Sequence, residues 1–134
     1  MEIKRNEATL NRPMGDRVID APYVFTDIPT FIRQLKDEEA WEKNDRNGIT
    51  VFKTNHLAIV VTVLHKGAIL SENEIDGLVS IQVLEGKVKV TTADGDFDLR
   101  EMQLVNLHHC QQHSIEALKD SALLITNCSV PAIN

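Results

Sequence analysis

The chain has 134 residues, 20 acidic against 14 basic, and a formal net charge of −6. That length buries one core and forms one domain, while an acidic balance with no clustered basic face excludes a nucleic-acid surface. The one long apolar run, Leu57–Leu64, is too short to span a bilayer as a helix. The polar start Met1-Glu-Ile-Lys-Arg-Asn-Glu7 lacks an export signal, so a cytoplasmic protein with no membrane partner is expected.

Residues 1–24 are interrupted by Arg12-Pro-Met-Gly15 and Ala21-Pro22. They read as an irregular arm that wraps its own domain or a partner subunit. Thr26 or Asp27 caps a helix with Pro29 in its first turn, and Ile28, Phe31, Ile32 and Leu35 fall on one face. The charged stretch Lys36–Lys43 continues that helix with a solvated face and with Trp41 as a packing anchor. Asp45-Arg-Asn-Gly48 ends it, because Asn-Gly readily takes positive φ. This divides the domain into an arm and helix over 1–48 and a β-barrel over 49–134.

From residue 49 the hydrophobic period changes to two. Ile49–Thr54, Leu57–Leu64, Val79–Glu85, Lys87–Thr92, Asp96–Leu99, Gln103–Leu107, His113–Ala117 and Ser121–Asn127 read as strands. Glu85-Gly86, Ala93-Asp-Gly95 and Leu118-Lys-Asp120 are the turns between them. Short strands with no crossover helices exclude a parallel α/β sheet and call for an antiparallel sandwich or barrel. Cys110 and Cys128 lack CxxC spacing and are expected as free thiols packed as small apolar groups. Asn127-Cys-Ser129 matches a glycosylation acceptor by chance.

Gly67 is followed by Asn73-Glu-Ile75, Val79 and Val83-Leu-Glu-Gly86, and a lone His113 opens a later strand. That layout resembles the first and second motifs of the cupins, over about residues 41–127. Trp41–Thr50 and His113–Thr126 are similar to the matching segments of small single-domain bacterial cupins. The resemblance implies an all-β, RmlC-like jelly-roll barrel and a homodimer. It also implies a metal held by His-x-His, an acid and one distant His. Here Asn73 and Ile75 replace the paired histidines and Val79 replaces the acid. Of the four ligand positions only His113 is kept, so no cofactor is expected at the usual site.

Three functions follow. In the first, the barrel mouth binds a small molecule through His113, Asn73 and Gln111 against the apolar face of Val79 and Ile81. In the second, His65, His109 and His113 form a substitute site for zinc, nickel, iron or manganese in an oxygenase or isomerase. In the third, the barrel is filled and the dimer is structural or regulatory. Neither a Cys110–His pair nor a base formed by His113 with Glu74 or Glu116 is expected, since neighbours at odd offsets on a strand face opposite ways.

Overall fold

The computed structural model describes residues 1–72, 77–108 and 111–129. The arm is not wholly irregular: β1 (Lys4–Asn6) and β2 (Arg17–Asp20) pair antiparallel. The helix is split into α1 (Ile28–Asp37) and α2 (Glu39–Lys43). Among the described residues nine strands follow: β3 (Arg46–Lys53), β4 (Leu57–Leu64), β5 (Ile69–Glu72), β6 (Gly77–Glu85), β7 (Lys87–Thr92), β8 (Gly95–Arg100), β9 (Leu104–Leu107), β10 (His113–Ala117) and β11 (Ser121–Ser129).

They form two antiparallel sheets, β3-β4-β11-β6-β9 and β5-β10-β7-β8. Alternating side chains give each sheet one inward face. Val79, Ile81, Val83 and Leu123 from the larger sheet meet Val88, Val90, Leu99 and Ile115 from the smaller one. The outer face of the larger sheet is covered in turn: Ile32 and Leu35 of α1 pack on Ile49, Val51, Val61 and Val63. The apolar stripe read from the sequence is therefore buried on this chain's own sheet.

Three local expectations are corrected. The helix does not run unbroken to Lys43, because Glu38 is extended (ψ 148°). The Glu38 carboxylate accepts from Arg12 Nε at 3.1 Å, Asn47 Nδ2 at 3.0 Å and Gln34 Nε2 at 3.2 Å. Asn47-Gly48 is not the helix-ending turn but part of β3. Asn47 Nδ2 also donates to the Leu35 carbonyl at 2.9 Å, satisfying an acceptor that the helix C-terminus leaves open. Finally, β5 was not anticipated: four residues give too little periodicity to stand out.

The arm wraps its own domain. β3 is an edge strand, and edge carbonyls invite unwanted pairing. Arg12 Nη2 donates to Gly48 O at 2.8 Å and Arg17 Nε to Thr50 O at 2.7 Å. Two guanidiniums thus stand where a further strand would pair. Across the same sheet, in line with Asn47 through Val63 and Ala122, Gly86 follows Glu85 and joins β6 to β7 with φ +88°. An added Cβ there would approach the Asp120 carbonyl oxygen at 2.5 Å. Gly86→Ala should cost roughly 1–3 kcal/mol in denaturant unfolding, since the left-handed backbone and the contact both oppose a side chain.

Candidate functional site

The register fixes which residues share an end of the sandwich. His113 pairs with Glu72 on β5 and with Thr92 on β7. On the facing sheet Val79 pairs with Leu107 on β9 and Asn127 on β11. Residues 73–76 connect β5 to β6, and residues 108–112 connect β9 to β10. His113, Val79, Leu107 and Asn127 therefore belong to one end. His113 and Val79, both read from the sequence as mouth residues, thus share an end, while Asn73 lies outside the described residues.

His113 has the same inward parity as Ile115 and Ala117 and is 6% exposed. Its Nδ1 lies 3.2 Å from the Gln111 carbonyl oxygen. A carbonyl can only accept, so Nδ1 donates this bond, which anchors the ring and leaves Nε2 as its other polar atom. Gln111 thus contributes its backbone, with an exposed side chain. Asn127 follows Leu123 and Ile125 on the inward face of β11 and is half-buried. Thr92 also has inward parity, but its hydroxyl is committed to the Gly95 carbonyl at 3.0 Å. His113 and Asn127 are two polar groups at this end that no turn uses.

Beneath them the interior is aliphatic. Val79 is 4% exposed and Ile81 0%. Val79 forms the rim, while Ile81 lies one layer deeper, packed in the core. Ile81 is therefore a floor residue and not a ligand-lining one. Glu116 falls on the opposite face of β10 from His113, as its odd offset predicts. Asn73, Glu74, Ile75, His109 and Cys110 lie outside the described residues.

His65 does not join His113. Gly67 N–H donates to Ala117 O at 2.7 Å, placing the β4–β5 turn at the far end of β10. Four residues of strand separate Ala117 from His113, about 13 Å, beyond any shared coordination sphere. His65 instead stacks on Trp41 with centroids 3.4 Å apart, and its Nε2 lies 2.7 Å from the Trp41 carbonyl oxygen. The three-histidine substitute site thus loses one member. Among the described residues no group of three or more His, Cys, Asp or Glu side chains could hold a metal ion. His113 supplies one donor, and the positions of Asn73 and Ile75 lie outside the described residues. Cys128 is a free thiol on β11, half-buried. Among the described residues no helix is long and apolar enough to cross a membrane.

Sequence reasoning missed Asn127 and Leu107 as mouth residues. Inward parity on β9 and β11 is the signal that would have found them. It is usable only once the pairing with Val79 is known.

No family model and no curated protein matches the chain. Solved structures do match. A conserved protein of unknown function from Streptococcus pyogenes superposes with a TM-score of 0.67 at 18% identity, covering 85% of this chain and 93% of that one. A cupin superfamily protein from Desulfitobacterium hafniense gives 0.63 at 18% identity, over 65% and 80%. Salicylate 1,2-dioxygenase from Pseudoaminobacter salicylatoxidans gives 0.66 at 16% identity, over 91% of this chain and 35% of that enzyme. RmlC-like cupins are among the other matches. The protein has the cupin jelly-roll fold, as the spacing from Gly67 to Gly86 and His113 led one to expect.

Proposed function

We propose that the chain is a cupin-fold binding protein that takes a small molecule at the His113 end of the sandwich. The ligand has an apolar body and one hydroxyl or carboxyl group. The carrying observation is the anchored His113 ring, 6% exposed on the inward face of β10, whose Nε2 has no hydrogen-bond partner among the described residues. A few polar groups on a greasy wall fix the orientation of such a ligand. The Asn127 amide supplies the second polar contact. Among the described residues His113 supplies one of the three or four donors that a firm metal site uses.

A thermal-shift screen with organic acids, sugars and divalent metal ions tests this. A ligand at about 100 times its Kd should stabilise the protein by about 2.7 kcal/mol. His113→Leu, which keeps the volume apolar, should abolish that shift. If no organic compound stabilises the wild type, the reading fails in favour of a filled, structural sandwich. Stoichiometric metal in protein purified without chelator, lost in His113→Leu, would instead favour a metal-dependent oxygenase or isomerase. Salicylate 1,2-dioxygenase and a sugar phosphate isomerase from Silicibacter pomeroyi share the fold.

A further inference from the structure

Outside the sandwich, between the arm and α2, lies a cleft of about 600 Å³. Two guanidiniums line it. Arg12 stands opposite the Glu38 carboxylate at 3.0 Å. Arg17 has no such partner: it donates to Thr50 O and Gly15 O, each at 2.7 Å, and both acceptors are neutral. Among the described residues no carboxylate lies within ion-pair distance of Arg17. Both arginines are only partly exposed.

Arg12 and Arg17 against Glu38 and the exposed Glu7 leave the lining formally neutral, but Arg12 is paired with Glu38 and Arg17 has no carboxylate in contact. A charge partly withdrawn from water is costly without a counter-charge. Burial, and next the charge of Arg12, pull the Arg17 pKa below the ordinary guanidinium value, with Glu38 opposing the shift. The remaining donors of a planar guanidinium suit a forked oxyanion. Asn6, Thr9 and Asn11 complete the wall with neutral hydrogen-bonding side chains.

We infer that this cleft binds a small oxyanion, of which inorganic phosphate is the simplest, bridging Arg12 and Arg17 with Asn6, Thr9 and Asn11 as neutral partners. The site is independent of the mouth at His113. It joins the arm to the domain, so an occupied cleft holds the arm more firmly on the β3 edge. Glu7 also lines the cleft; its exposed carboxylate competes with the ligand.

The test is calorimetric titration of the full chain with inorganic phosphate, with succinate as a carboxylate arm and chloride at matched ionic strength as control. Saturable binding of phosphate or succinate, absent with chloride, is expected, and the tighter of the two names the oxyanion class. Arg17→Met should weaken binding about tenfold or more, the scale of a charged hydrogen bond. Glu7→Gln should tighten it, and His113→Leu should leave it unchanged. Should Arg17→Met fail to fold, Asn11→Asp places a carboxylate in the same cleft, leaves the arginine contacts intact and should abolish binding. The inference is overturned if wild-type protein binds neither oxyanion above the chloride control. It is equally overturned if folded Arg17→Met, or Asn11→Asp, binds as tightly as wild type, or if binding disappears with His113→Leu.

Discussion

Ile81→Ala is expected to lower the unfolding free energy by about 2–5 kcal/mol, the range for truncating a fully buried aliphatic side chain. Ile81 is 0% exposed and sits at the centre of the inter-sheet core. Its register neighbours are Ile125 on β11 and Val105 on β9. Strands held on both sides relax little, so the vacated volume persists instead of collapsing, and the expected cost lies above a bare transfer estimate. Urea unfolding checks this: the midpoint should fall while the slope stays constant, the mark of changed stability without changed compactness. Ile81→Leu should cost less than about 1.5 kcal/mol, since volume is conserved. The new cavity would lie one layer below His113, and a dry apolar cavity of this kind takes up benzene or xenon. Such probes should stabilise Ile81→Ala and not the wild type. If Ile81→Ala unfolds at the wild-type midpoint, the interior is not the packed wall on which the mouth reading depends.

The inward face of β6 was legible because its code is local. Val79, Ile81 and Val83 alternate with polar or exposed neighbours, and that period fixes both strand and face. The jelly-roll fold was legible for a related reason: Gly67, Gly86 and His113 stand at the spacing on which the cupin resemblance rests, and Gly86 has the positive φ that its turn needs. What escaped notice was non-local. Asn127 becomes a mouth residue only through its register with Val79. The separation of His65 from His113 follows only from the hydrogen bond between Gly67 and Ala117. Glu38 and Asn47 looked like a solvated helix turn and a helix stop. Their true partner is Arg12, distant in sequence, and no local period encodes a side chain that closes a polar network from the arm. The same network explains why the helix breaks where propensity would have continued it.

Glu38→Ala should release the arm and cost about 3 kcal/mol, the low end of the range for breaking a buried ion pair, because Arg12 keeps some access to water. The Glu38 side chain is 7% exposed and that of Arg12 24%. Truncation removes the carboxylate that also receives Asn47 and Gln34, so three donors lose an acceptor together. Burial by itself would raise the Glu38 pKa. Hydrogen bonds from Arg12, Asn47 and Gln34, with the charge of Arg12, outweigh that and hold it below the ordinary carboxylate value. A depressed folded-state pKa gives stability that is present above the unfolded value, about 4.3, and is lost as pH falls through the folded value. Acid should therefore loosen the wild-type arm over that window, whereas Glu38→Ala should be loose already at neutral pH and nearly insensitive to acid there. Trypsin reports the difference at neutral pH. Arg12 precedes Pro13, a poor cleavage site, so the diagnostic cut is Arg17–Val18, protected in the wild type by the bonds of Arg17 to Thr50 and Gly15. Amide exchange over β2 covers the acidic range. Equal protection of β2 in variant and wild type would mean that the Arg17 contacts alone hold the arm, leaving Glu38 a passive occupant of its pocket.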